Sequence, residues 1–305
     1  MVDEASVVVL LGSRANSNSD QGAGSRNRPP SARELAVELA RRFQLSPSPD
    51  DLALVAQQIC VTSGRPDLYR TLQQLLPVEP EPGAVHRFLA RLPAQIERLT
   101  SEQRYPLIVT TNFDSALERA FDAEQEPYDL AVYMATGDDE GKFVHLPFEG
   151  NANVILSPND YLKFPIAEFG ELTRTVIVKI HGAVDGSLGE YRWRQNYLVT
   201  EDQHIEYLSR SRIQSLIPVQ ILEKLVNSHW LFLGYPMADW ALRVFVNRVW
   251  QGQQLASRSW AVEEDPGPLE EDYWSHVGVE MVPCALADYL SGLEGHLSSH
   301  GDTGP

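Results

Sequence analysis

Four short segments of this 305-residue chain place polar and titratable residues directly behind apolar runs. They are Gly12-Ser13-Arg14-Ala15-Asn16, Thr111-Asn112-Phe113-Asp114, His181-Gly182 and Gly234-Tyr235. Together they supply an amide, a carboxylate, an imidazole that titrates near neutrality, a guanidinium, and glycines that let a backbone approach a ligand closely. If the preceding runs are parallel strands of one sheet, all four segments lie on the same edge of it, and four separately ordinary motifs become one candidate pocket. Each residue also has a plainer reading. Asn112 and Asp114 both precede an amphipathic helix and could cap it. His181 before a glycine could be a strand-end turn, and Gly234 could only turn the chain.

The elements that must position these residues are legible in the pattern. Apolar, β-branched runs at Ser6–Leu11, Leu107–Thr110, Val176–Ile180 and Trp230–Leu233, with weaker ones at Ser259–Val262 and Val279–Val282, are continuous rather than alternating. Strands of that kind are covered on both faces, as in the centre of a parallel sheet. Ser31 with Glu34 forms a capping box behind Pro29 and Pro30 and starts a helix to about Phe43. Further helices are expected at about 51–60, 67–76, 84–92, 114–121, 201–209, 213–227 and 239–250. The alternation implies an α/β, Rossmann-like fold: a mainly parallel sheet with helices on both faces. A helical insertion is expected over about 45–100, a small irregular subdomain over about 128–170, and a flexible tail over 298–305 behind a single domain of 1–297.

Composition excludes several classes. With 42 acidic and 25 basic residues the formal net charge is −17, which opposes affinity based on neutralising nucleic-acid phosphates or an anionic membrane. No apolar stretch approaches the roughly 20 residues of a spanning helix, and the N-terminus lacks the pattern of a signal peptide, so a cytoplasmic location is expected. Cys60 and Cys284 are too few for a disulfide framework or an all-cysteine zinc site. The histidines other than His181, among them His86, His145 and His204, show no metal-ligand spacing and read as surface or structural; no metal is expected.

Thr-Thr-Asn-Phe-Asp at 110–114, Lys-Ile-His-Gly at 179–182 and Phe-Leu-Gly-Tyr-Pro-Met-Ala-Asp-Trp at 232–240 resemble the sirtuin-like NAD-processing superfamily, and within it the bacterial sirtuin-like domains of antiphage-defence systems. The resemblance runs from about Val7 to about Leu293. It implies cleavage of the nicotinamide–ribose bond of NAD to give nicotinamide and ADP-ribose, with NAD as substrate. By the resemblance, Asn112 hydrogen-bonds the ribose or holds the attacking water, and His181 is the general base. Gly12, Ser13, Arg14, Asn16, Thr111, Asp114, Gly182, Gly234 and Tyr235 would line the dinucleotide. It further implies control by self-assembly or by a separate partner, such as the ATPase, Argonaute-like or nucleotide-sensing proteins of related systems.

The first loop departs from the family, which has Gly-Ala-Gly where this chain has Gly12-Ser13-Arg14. Arg14 either meets a phosphate through its guanidinium or obstructs the pocket. A literal Gly-Ala-Gly-Ser occurs at 22–25, away from any strand. Two alternatives follow. One is a catalytically weak NAD- or ADP-ribose-binding sensor or scaffold. The other, a protein deacylase, is disfavoured by the absence of paired Cys-x-x-Cys motifs.

Overall fold

The computed structural model describes residues 7–18, 27–46, 50–100, 103–167, 171–188, 190–209, 217–250 and 258–301. Its centre is a nine-stranded sheet. In chain order the strands are β1 (Val7–Leu11), β2 (Leu107–Thr110), β3 (Tyr128–Tyr133), β4 (Phe143–Leu146), β5 (Asn153–Ile155) and β6 (Thr175–Lys179). Two small ribbons follow, built from β7 (Gly182–Ala183) with β10 (Asn196–Tyr197), and β8 (Gly186–Leu188) with β9 (Tyr191–Trp193). The sheet is then completed by β11 (His229–Leu233), β12 (Ser259–Glu263) and β13 (Val279–Pro283).

The spatial order is β13-β12-β11-β1-β2-β6-β3-β4-β5. Pairing is parallel from β13 through β3, and β4 and β5 close one side antiparallel. Chain order reverses about β1: β2 lies on one flank and β11 on the other, which makes their carboxyl ends the topological switch point where open α/β sheets hold ligands.

The expected strands are present within a residue or two at each end. The stretch 128–170 is not a separate irregular piece. Tyr128–Tyr133 pairs in parallel with β6, and β4 and β5 extend the same sheet from it. The glycines and prolines that interrupt this region sit between short strands, so the period-2 signal never runs long enough to be read.

Alternate strand residues feed two cores. Val8, Leu10, Val109, Val178, Trp230 and Phe232 pack with α6 (Glu201–Ser209), α7 (Val219–Val226), α8 (Trp240–Val249) and Trp274 of α9 (Pro268–His276). Val9, Leu11, Ile108, Ile177 and Leu233 pack with α4 (Ala84–Thr100), α5 (Ala116–Glu124) and α10 (Leu286–Gly301). Continuous hydrophobicity is therefore the direct consequence of two covered faces.

The helical block divides in two. α4 lies on the sheet and runs on through Pro93 to Thr100, past the end expected at Leu92; Val85, Phe88 and Leu89 bury its face, and this packing outweighs the one backbone bond a proline forgoes. α1 (Ala32–Arg42), α2 (Leu52–Ser63) and α3 (Arg65–Leu75) instead form a third cluster that closes over Phe113, Tyr197 and Val199. The capping box is present: Ser31 Oγ accepts from Glu34 N and the Glu34 carboxylate accepts from Ser31 N. Of the tail expected over 298–305, residues 298–301 continue α10, and 302–305 lie outside the described residues. The Gly-Ala-Gly-Ser at 22–25 lies outside the described residues.

Candidate active site

β2 and β6 are neighbours, with Thr110 opposite Lys179. Both chains then leave the sheet at its carboxyl edge, so Asn112 and His181 stand two residues beyond the same rung. This register sets the Asn112 and His181 segments side by side although they are distant in sequence; of the two, His181 lines the pocket described below and Asn112 does not. Thr110 secures the corner: its hydroxyl donates to Leu11 O at 2.8 Å and accepts from Asn112 N at 3.1 Å.

Asn112 is 7% exposed, and its Nδ2 reaches Gly12 O at 3.4 Å while its Oδ1 is buried with no partner. Asn16, on the short 3-10 turn Ser13–Asn18, repeats the pattern. Its Nδ2 donates to Asp114 Oδ2 at 3.1 Å and to Pro30 O at 3.3 Å, and its Oδ1 is buried and unpartnered. Two orphaned amide acceptors at one corner are costly unless something donates to them, and hydroxyl groups of a ribose are donors of the required kind. Asp114 has both offices that its sequence position allows. One carboxylate oxygen accepts from Ala116 N at 3.0 Å at the start of α5, and the other accepts from Asn16.

A narrow pocket opens at this edge between Thr111, His181, Tyr235 and Tyr207, floored by Leu10, Val109 and Ile180 and walled by Ala241, Leu242 and Phe245 of α8. Tyr235 is buried and its hydroxyl interacts with the Thr111 side chain; burial pushes this phenol well up. His181 packs edge-to-face on His204, with ring centroids 4.9 Å apart, and on Tyr207 at 6.0 Å. Burial, and then the neighbouring imidazole, hold His181 well below the ordinary histidine range, so it is an uncharged base at neutral pH.

The glycines serve backbone packing. A Cβ on Gly12 would lie 2.4 Å from Gly234 O, and one on Gly234, whose φ is +63°, would lie 2.4 Å from Ala15 N. With Gly12 N donating to Leu233 O and Arg14 N to Gly234 O, both at 2.9 Å, the ends of β1 and β11 are locked together at the switch point. Gly182 sits in the β7–β10 ribbon opposite Tyr197.

Two first-loop side chains are engaged elsewhere. Ser13 Oγ accepts from Ala32 N at 3.0 Å, at the start of α1. Arg14 neither fills the pocket nor stands ready for a phosphate: its guanidinium holds both Glu263 carboxylate oxygens, at 2.5 and 2.8 Å.

A buried polar network that no sequence motif marks lies beneath this corner. Lys179 is 1% exposed; its Nζ meets Glu118 Oε1 at 2.7 Å and donates to the Asp114 carbonyl. His86, also 1% exposed, accepts from Gly83 N at 2.9 Å, and burial drives its pKa down to about 4. A lysine ending a strand that is otherwise fully buried was the available signal. For His204 the only trace was its spacing from Tyr207 on one helix.

This is a Rossmann-like α/β protein whose candidate site lies at the switch point of its sheet. Compared with known families, residues 106–282 match the SIR2-like domain, and the chain belongs to that family. The matched stretch is more than half of the chain and narrower than the 7–293 expected; it includes Asn112, Asp114, His181, Gly234 and Tyr235, and it begins after the divergent first loop. Membership implies an NAD-processing activity and an NAD site. No curated protein matches the chain. Among the described residues no group of three or more His, Cys, Asp or Glu could hold a metal ion, and no helix is long and apolar enough to cross a membrane.

Proposed function

We propose that the protein is an NAD glycohydrolase that cleaves the nicotinamide–ribose bond to give nicotinamide and ADP-ribose. The observation that carries this reading is the placement of Asn112 and His181 just beyond the ends of two adjacent strands, the first with an orphaned amide oxygen and the second an uncharged base. Nicotinamide leaves a cationic ring as a neutral molecule, so the bond to the ribose C1′ breaks with its electrons retained by the ring nitrogen and no acid is required. The needs are a held ribose and a deprotonated water. Asn112, Asn16 and Asp114 offer acceptors to ribose hydroxyls, and His181 takes the proton of the water that forms the new C1′–O bond.

The fit of residue types supports this chemistry, and the deacylase reading lacks an equivalent. Cys60 and Cys284 pack against different core clusters, so no paired thiolates are available from them for a zinc module. Uncontrolled NAD loss would harm a host, which favours a defence or conflict role in which assembly with further copies or a separate partner releases activity.

The test is nicotinamide release from NAD by the purified chain, alone and with proteins encoded beside it. Asn112→Ala and His181→Ala should each abolish release with the fold intact. Release that survives both would place the chemistry elsewhere. One observation favours a second reading, a sensor that binds NAD or ADP-ribose without turnover: the pocket beside His181 is narrow, and Asn112 is not among the residues that line it. ADP-ribose binding by calorimetry with no turnover under any condition would select it.

A further inference from the structure

α6 begins at a polar cap. Gln203 Oε1 accepts from Val199 N at 3.0 Å and Thr200 N at 3.1 Å, and the Gln203 amide donates to Tyr69 OH of α3 at 2.8 Å. These bonds tie the start of the helix to the α1–α3 cluster. His204, one residue on, is buried, and its Nδ1 lies 2.9 Å from Thr200 O. A carbonyl can only accept, so Nδ1 carries the hydrogen and Nε2 holds the lone pair. One side of the ring meets His181 at 4.9 Å and another meets the Trp240 indole at 6.4 Å.

The two imidazoles have different surroundings. Around His204 stand three carboxylates that favour its charged form: Asp239 capping α8, Asp51 capping α2, and Glu201 of its own helix. Among the described residues the titratable group that shifts His181 is His204, and the pocket it lines is otherwise made of Thr110, Thr111, Tyr207, Tyr235 and apolar side chains. Burial lowers both, His181 further. Two cations with ring centres 4.9 Å apart repel strongly at a site with little water, so the pair accepts its protons in two separated steps.

We propose that His204 is a positioning residue for His181: its ring seats the His181 imidazole against the pocket, and of the two it takes up the first proton, leaving His181 an uncharged base. The consequence for turnover rests on the NAD-hydrolase reading; the order of protonation does not.

The experiment is a histidine NMR titration of the full chain labelled at the imidazole Cε1, with His181→Gln and His204→Gln used to assign the two signals. In the unsubstituted protein His204 should titrate first as pH falls. In His204→Gln, which keeps a donor for Thr200 O, the His181 midpoint should rise by about one pH unit, because repulsion is gone while burial stays. His204→Phe, which keeps a ring without a proton, should give the same rise. His181 titrating before His204 in the unsubstituted protein overturns the proposal, whether or not the variants fold. An unchanged His181 midpoint in folded His204→Gln overturns it too. In the nicotinamide assay the acid limb of the rate should move up by the same interval with KM for NAD unchanged. The expected NMR result in a protein that releases no nicotinamide upholds the pair and rejects NAD hydrolysis.

Discussion

Lys179 and Glu118 form an ion pair, 2.7 Å long, that is almost wholly withdrawn from water beneath the candidate site. The lysine also donates to the Asp114 carbonyl, so one side chain of β6 holds both the helix that follows Asn112 and the turn that contains it. His181 follows two residues after Lys179, just beyond the end of β6. The spacing between the Asn112 and His181 segments is thereby set from below, by a residue that does not line the pocket.

Breaking this pair from one side should cost more than removing it. Lys179→Met leaves a buried carboxylate whose Oε2 already lacks a partner, and should lower the unfolding free energy by about 3–5 kcal/mol in urea titrations. Lys179→Met combined with Glu118→Leu should recover most of that loss. A double variant as unstable as the single one would show that the hydrogen bond to Asp114, rather than the ion pair, dominates.

Gly234 and Gly137 both have positive φ, at +63° and +87°, but differ in what surrounds them. Alanine at Gly137 meets nothing within 4 Å and should cost only the backbone preference, about 1 kcal/mol. Alanine at Gly234 drives a methyl group into the Ala15 amide and should cost at least roughly twice as much, with loss of ADP-ribose binding. Comparing the two melting temperatures and calorimetric titrations separates backbone preference from crowding at the switch point.

Much of this fold could be read from the sequence because its central strands are buried on both faces, which writes uninterrupted runs such as Val7–Leu11 and Thr175–Lys179. β3 escaped because Tyr128, Asp129 and Tyr133 interrupt its apolar residues, and its parallel partner β6 lies some 47 residues on, as in Tyr128 opposite Thr175. Asn112 and His181 were legible since both follow strands directly. Asp129 shows the opposite case. Burial would raise its pKa, yet hydrogen bonds from His145, Phe148 N and Arg174 hold it below the carboxylate range, and those donors lie 16, 19 and 45 residues away. No local pattern encodes such contacts. Arg14 illustrates the same limit: its partner Glu263 is 249 residues distant.

The Arg14–Glu263 pair should contribute little to stability although one guanidinium nitrogen, Nη1, reaches both carboxylate oxygens. The Arg14 side chain is 53% exposed, and solvent screening leaves such pairs worth about 1 kcal/mol or less. A double-mutant cycle on Arg14→Ala and Glu263→Ala, read by urea unfolding in low and high salt, should give a coupling within that bound that shrinks as salt rises. A coupling several times larger, insensitive to salt, would mean that the first loop is fastened to β12 as firmly as the core.

Acid should destabilise the protein before its carboxylates titrate, and His86 should be a principal cause. Burial, opposed by the charge of Asp114 and helped by those of Lys179 and Arg87, brings its pKa to about 4 in the folded chain, whereas an exposed histidine titrates near 6.5. Above pH 6.5 neither state binds this proton. As pH falls from 6.5 towards 4 the unfolded chain is protonated and the folded chain is not, so unfolding is favoured progressively, by about 3 kcal/mol at the lower end. Below 4 both states are protonated and this group adds nothing further. His181 and His204, also depressed by burial, act in the same direction. His86→Gln keeps an acceptor for Gly83 N but has no proton to take up. Its urea midpoint should therefore fall less than that of the unsubstituted protein between pH 7.5 and 4.5. Parallel falls in the two proteins would assign the acid sensitivity to the histidine pair at the pocket instead.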